Sequence, residues 1–129
     1  MVDNAPGVYT VLGSKFEIGE KYEIIDPVGS GAYGVVVAVK DKEAEDPENN
    51  LVAIKKIEKA FEHRVFAQRT LRELKILRLM DHDNIINIST ILKPKSREDF
   101  NEIYVVNELM ETDLAQIIKS NQPLSEEHI

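Results

Sequence analysis

The chain contains no cysteine and no tryptophan, and only four Tyr and four Phe. Without cysteine there is no disulfide and no thiolate metal site. Long apolar runs are also missing: the longest aliphatic stretch, Val35 to Val39, holds five residues. A helical membrane span needs about 20, and no signal-peptide pattern opens the chain. The default expectation is therefore an intracellular protein. An excess of basic residues is lacking too. Lys and Arg total 16 against 23 Asp and Glu, a net charge of -7. That balance argues against nonspecific nucleic-acid or anionic-membrane partners and leaves open only a local basic patch. What is present is 129 residues, 43% hydrophobic and 30% charged, the profile of one globular domain.

No repeat or low-complexity tract interrupts the chain. Met1 to Gly7 reads as a loose tail. Tyr9–Leu12 and Lys15–Ile18 flank Gly13-Ser14 and read as a short hairpin. Tyr22 to Val28 is a strand candidate, with Tyr22, Ile24 and Val28 alternating on one side. Gly29 to Gly34 is a glycine-rich turn, and the β-branched segment Val35–Lys40 is the returning strand. Asp41–Asn50 is a polar loop, and Leu51–Ile57 is a third strand. From Glu62 to Leu79 the period changes. Phe66, Thr70, Leu74 and Leu77 recur at three or four, as do Ala67, Leu71 and Leu74, which predicts an amphipathic helix. Ile85–Leu92 and Ile103–Val106 read as strands around a charged turn, Lys93–Asn101. Glu108–Glu111 is a connector, and Asp113–Lys119 is a short helix capped by Thr112 or Asp113. Ser125-Glu126-Glu127 is a helix-start signal. The sequence stops one turn later, which suggests the N-terminal piece of something longer. The expected class is α+β, with five strands, one long helix after the third, and a leading hairpin.

Gly29-Ser30-Gly31-Ala32-Tyr33-Gly34 fits G-x-G-x-x-G. Glycine lets backbone N–H groups approach phosphate oxygens with no Cβ in the way. A dinucleotide-binding loop of this pattern opens a helix. Here a valine run follows, so the loop joins two antiparallel strands, and Val36 completes G-x-G-x-x-G-x-V. From this motif alone, a flap over ATP phosphates and an ordinary glycine hairpin both stand. Val52-Ala53-Ile54-Lys55 is a second signal. Ala53 and Lys55 share one strand face, and a lysine on an apolar strand is costly unless paired. Glu73 on the long helix can supply the carboxylate. Taken singly, Lys55 could be a solvated strand lysine, and Glu73 could pair with Arg69 at i,i+4. Together with the loop, the pair reads as a clamp on α- and β-phosphate oxygens.

Gly29 to Val36, Val52–Lys55, Glu73 and His82-Asp83-Asn84-Ile85, in this order and spacing, resemble the N-lobe of a eukaryotic protein kinase. Gln68 to Leu77, Leu109 to Leu114 and the opening hairpin with Phe16-Glu17-Ile18-Gly19 are similar to the mitogen-activated protein kinases. The resemblance runs from about Tyr9 onward. It implies a tail and hairpin over 1–20, a kinase N-lobe over 21–107, and a hinge with the start of a C-lobe over 108–129. It further implies that Val28, Val36 and Ala53 enclose an adenine, that Asn107 is the gatekeeper, and that the Glu108 carbonyl and Met110 N–H meet the adenine edge. Gly29, Ser30, Gly31, Ala32, Tyr33 and Gly34 would cover the phosphates, and Asp113 would reach the ribose while serving equally as a helix cap. Gln116 stands where many relatives carry Lys. Arg69 and Arg72, at i,i+3, would meet an activation-loop phosphothreonine through bidentate guanidinium geometry, or else balance nearby acids. His82 reads as a loop-packing residue, His63 has no partner at ligand spacing, and no metal-ligand set is expected.

No H-R-D-x-x-x-x-N, D-F-G, A-P-E or Thr-x-Tyr occurs in these 129 residues. The general base and magnesium ligands of such a kinase lie in those motifs, so this chain alone should not transfer phosphate. The resemblance implies ATP and Mg as cofactors, protein substrates, an upstream activating kinase, and a cytoplasmic and nuclear location. It leaves the oligomeric state open. Two classes of function compete: the ATP-binding lobe of an active Ser/Thr kinase, and a noncatalytic pseudokinase or truncated binding module. Intact Lys55, Glu73 and loop glycines favour the first. A dinucleotide-binding domain is a distant third.

Overall fold

A computed structural model describes residues 5–32 and 34–128. A two-stranded hairpin, β1 (Val8–Val11) and β2 (Ser14–Glu17), precedes a five-stranded antiparallel sheet. The sheet consists of β3 (Tyr22–Gly31), β4 (Gly34–Asp41), β5 (Leu51–Ile57), β6 (Ile88–Ile91) and β7 (Ile103–Glu108), in the order β3-β4-β5-β7-β6. Helix α1 (Arg64–Leu79) follows β5, α2 (Leu114–Lys119) follows β7, and a 3-10 turn covers Glu126–His128. The α+β class, the five strands and the single long helix agree with the sequence reading.

Alternation along the strands divides the sheet into two faces. Val35, Val37 and Val39 of β4, Ile54 of β5 and Tyr104 and Val106 of β7 point to one face, where Phe16, Ile18 and Tyr22 close over them. Val37, Val39, Ile54 and Phe16 are fully buried. The hairpin is thus the lid of the main core. The opposite face is divided in turn. At one end Ile57, Ala60, Ile103 and Val105 pack against Phe66 and Leu74 of α1 and Ile88 of β6. At the other end Val36, Ala38 and Ala53 line an open cavity.

Several boundaries differ from expectation for identifiable reasons. The hairpin turn is Leu12-Gly13, not Gly13-Ser14. Both residues have positive φ, 50° and 78°, as a two-residue turn matching the strand twist requires, and Ser14 is drawn into the core. The tail is not loose through Gly7, whose carbonyl accepts from Ile18 and Gly19 N–H; residues 1–4 lie outside the described chain. Irregularities between Ile24 and Asp26 and between Pro27 and Gly29 break the alternation of β3. Tyr22 and Ile24 therefore pack in the core while Val28 turns to the cavity, so the three do not share a side. The β3–β4 ladder runs on to Gly31 opposite Gly34, and the expected glycine turn shrinks to its tip. Helix α1 starts at Arg64 rather than Glu62, after His63, which makes no side-chain cap. Leu71 stays exposed, so Phe66, Thr70 and Leu74 are the packing stripe. β6 begins at Ile88 rather than Ile85, and β7 extends through Asn107 and Glu108.

A buried cation joins hairpin to sheet. Lys56 is 4% exposed. Its Nζ lies 2.5 Å from the Lys15 carbonyl, 3.3 Å from Ser14 Oγ, 2.9 Å from Glu102 Oε2 and 3.4 Å from Glu58 Oε1. The Phe16 and Tyr104 rings flank it. A buried ion is tolerated only with such partners, since desolvation alone costs several kcal/mol. The Tyr104 hydroxyl donates to Glu102 (2.8 Å) and accepts from the Glu17 N–H (3.1 Å). Burial, before any other cause, pushes its pKa up, so the phenol remains a neutral donor.

Replacing Ile54 by Ala in the full-length protein should lower unfolding stability by about 2–5 kcal/mol, read from denaturant titration. A pH dependence follows from the lid. Hydrogen bonds from Lys15 and Lys95 hold the Glu17 carboxyl low, and the Ser14 hydroxyl does the same for Glu58. A depressed folded pKa contributes stability above the unfolded value, which is lost as pH falls through the folded one. Thermal midpoints should therefore decline from pH ~5 downward, and Glu58→Gln should show a shallower decline.

Candidate functional site

The open cavity on the second sheet face has a volume of about 680 Å³, within the range of small-molecule sites. Pro27 and Val28 of β3 form one wall, Val36 and Ala38 of β4 and Ala53 of β5 the floor, and Ile86 the back. The segment from Glu108 to Asp113, with Gln116, closes the far edge. This is an apolar slot with a polar rim, suited to a flat heterocycle carrying polar edges. Asp113 serves as the N-cap of α2, accepting from the Gln116 N–H at 2.8 Å. That resolves the choice between Thr112 and Asp113, and Asp113 lines the cavity as well.

Asn107 stands opposite Ala53 in the β5–β7 ladder. Its amide donates to the Asn87 carbonyl at 3.1 Å. Glu108 and Met110 do line the cavity.

The glycine loop lies beside the slot, where Gly29 opposes Val36 and Ser30 opposes Val35. Its glycines have different reasons to be there. Gly34 has φ +129°, and a Cβ there would collide with the Lys56 carbonyl oxygen. The fold itself demands that glycine. A Cβ on Gly29 or Gly31 would meet none of the described atoms within 4 Å. No packing within the described chain requires these two, and the space above their backbone is free for a ligand. Ala32 sits at the tip. Tyr33 lies outside the described residues.

Two residues beyond Ala53 on the same face of β5, Lys55 reaches Glu73 of α1, with Nζ to Oε1 at 3.4 Å. The alternative pairing of Glu73 with Arg69 does not form. The Lys55 side chain is 31% exposed and that of Glu73 53%, so this pair contributes at most about 0–1 kcal/mol to stability. The fold gains little from it, and the partly exposed Lys55 ammonium, two residues along β5 from the slot floor at Ala53, is open to an anionic ligand. A second cavity of about 460 Å³ adjoins the pair, lined by His63, Phe66, Arg69 and Thr70 among others. Arg69 borders it. Arg72, three residues on, is exposed, and neither arginine makes an ion pair among the described residues. His82 is exposed, and its Nδ1 accepts from the Asn84 N–H at 3.0 Å, a contact local to the loop. Among the described residues no three His, Asp or Glu side chains converge to hold a metal ion.

Sequence reasoning missed Pro27, Ala38, Ile86, Leu109, Glu111 and Thr112 as cavity-lining residues. Their neighbours Val28, Ile85, Glu108 and Met110 carried the only signal.

An apolar slot, a bare glycine flap on an antiparallel turn, and a strand lysine meeting a helix glutamate, set on a five-stranded antiparallel sheet beside one long helix, fit the N-lobe of a protein kinase. Residues 22–129 match the Protein kinase domain family, and the chain belongs to that family. Within it the similarity is to mitogen-activated protein kinases. Mitogen-activated protein kinase 6 of Oryza sativa subsp. japonica is 52% identical over 122 residues, covering 94% of this chain and 31% of that protein. Mitogen-activated protein kinase 3 of Arabidopsis thaliana is 53% identical over 121 residues, 93% of this chain and 32% of its own length. Mitogen-activated protein kinase 4 of Arabidopsis thaliana is 50% identical over 121 residues, 93% and 31%. The chain thus spans about a third of the length of these curated relatives.

The glycines provide a discriminating test. Gly34→Ala should destabilise the fold, by about 1–3 kcal/mol for the forced backbone. Gly31→Ala should leave the melting temperature nearly unchanged while weakening nucleotide binding, measured by calorimetric titration.

Proposed function

We propose that this chain is the ATP-binding lobe of a mitogen-activated Ser/Thr protein kinase, which moves the γ-phosphate of ATP to a protein hydroxyl. The observation that carries the reading is the Lys55–Glu73 contact of 3.4 Å, made from the strand face that also carries Ala53 of the slot floor. In this reading Val28, Val36 and Ala53 hold the adenine, while the edge from Glu108 to Met110 offers backbone groups to it. Asp113 reaches toward the ribose. Backbone N–H groups of residues 29–34 cover the phosphates. The Lys55 ammonium, oriented by Glu73, neutralises charge on the α- and β-phosphates, and catalysis comes from positioning and charge compensation.

Arg69 and Arg72 would receive an activation-loop phosphate placed by an upstream kinase. Their exposure without ion partners among the described residues supports this role. Mg ions and the general base belong to segments beyond these residues. Signalling in the cytoplasm and nucleus is part of the same proposal.

Replacing Lys55 by Ala in the full-length protein should cut phosphoryl transfer to a generic basic-protein substrate by about 100-fold or more. Unfolding stability should change by less than about 1 kcal/mol, because the ion pair is half solvated. Radiolabel transfer and denaturant titration read the two quantities. Unchanged turnover in the variant overturns the assignment.

A further inference from the structure

β5 carries two adjacent lysines, and only one can face the nucleotide slot. Residues 51, 53, 55 and 57 on one face read Leu, Ala, Lys, Ile, and residues 52, 54 and 56 on the other read Val, Ile, Lys. The two sets are alike: apolar residues with one lysine. Shifting the strand by one residue would exchange the faces, placing Lys56 toward the slot and Lys55 in the core. The hydrophobic pattern of β5 therefore discriminates poorly between the two registers. The polar surroundings discriminate well. Toward the hairpin, the Lys15 carbonyl, Ser14, Glu58 and Glu102 converge on one ammonium between two aromatic rings. Toward the slot, a single half-exposed carboxylate meets the other at 3.4 Å.

We infer that Lys56 is a positioning residue: its enclosure by the hairpin and by Glu58 and Glu102 sets the register of β5 and thereby presents Lys55 to the phosphates. The inference rests on the nucleotide-binding role of Lys55 proposed above. Two further observations support it. Gly34 abuts the Lys56 backbone so closely that no side chain fits between them, so the floor of the glycine flap and the enclosed lysine are in direct contact. The hairpin residues Ser14, Lys15 and Phe16 also lie before residue 22, where the match to the kinase domain begins. An element outside the common domain thus grips the strand that carries its phosphate-binding lysine. The hairpin acts on the site through Lys56.

The test uses the full-length protein and an acyl-phosphate derivative of ATP. A lysine amine near the phosphates attacks the acyl carbonyl, forms an amide and releases ATP. Peptide mass spectrometry then separates label on Lys55 from label on Lys56. The expected result for the wild-type protein is label on Lys55 alone. In Lys56→Met, and in Glu58→Gln/Glu102→Gln, label on Lys55 should fall by about tenfold, and in the latter label should emerge on Lys56. Lys56→Arg, which keeps a cation in the enclosure, should retain most of the Lys55 label. A merely structural role would lower the melting temperature without moving label between neighbouring lysines. Unchanged Lys55 labelling in folded Lys56→Met overturns the inference. Should that variant fail to fold, Glu102→Gln, which keeps the other acceptors, decides by the same readout: a fall at Lys55 supports the inference and an unchanged yield overturns it. A wild-type protein unlabelled at Lys55 overturns the nucleotide reading and this inference together. Labelled wild type with unchanged variants overturns only the inference.

Discussion

The side chains of successive residues on β5 must point to opposite faces, and most of this structure depends on how that constraint is met. Ile54 and Lys56 go to the hairpin side, Ala53 and Lys55 to the slot side. The first pair builds core: Ile54 is fully buried, and Lys56 is surrounded by acceptors that offset its desolvation. The second pair builds a site: Ala53 keeps the floor shallow, and Lys55 remains partly solvated beside Glu73. One strand therefore serves stability with one face and chemistry with the other.

The two lysines also show how surroundings assign roles to identical side chains. A buried ammonium with several fixed acceptors has little freedom to receive a ligand. A partly exposed one with a single long contact retains protons and space for phosphate oxygens. The same division holds among the glycines. Gly34 answers to the packing of the Lys56 backbone beneath it, whereas Gly29 and Gly31 answer to nothing in the described chain. Backbone left bare without a packing reason is consistent with an approaching ligand.

Much of the site was legible in the sequence because its parts are local or periodic. A glycine loop before a valine run implies a strand–turn–strand flap, since the β-branched residues resist a helix start. Val-Ala-Ile-Lys puts Ala53 and Lys55 on one face by strand geometry alone. Glu73 was marked by its place between Leu71 and Leu74, although Leu74 packs and Leu71 stays exposed. Val28, expected on one side with Tyr22 and Ile24, instead lines the slot. Backbone irregularities move a residue across a sheet without leaving a clear trace in composition. The hydrogen bond from the Asn107 amide to the Asn87 carbonyl, a partner 20 residues away, left no local trace either.

The sequence by itself determined the α+β class, the order of strands and helix, and the strand face shared by Ala53 and Lys55, because alternation, helical period and glycine placement are properties of short segments. Tertiary structure alone decided that the hairpin is the lid of the core and that Lys56 is buried beneath it. Those facts depend on contacts between residues far apart in the chain: Lys56 with Ser14 and Glu102, Tyr104 with Glu17. No local pattern encodes which distant acceptors will converge on a charge, so the partner of a buried ion is known only once the chain has closed around it.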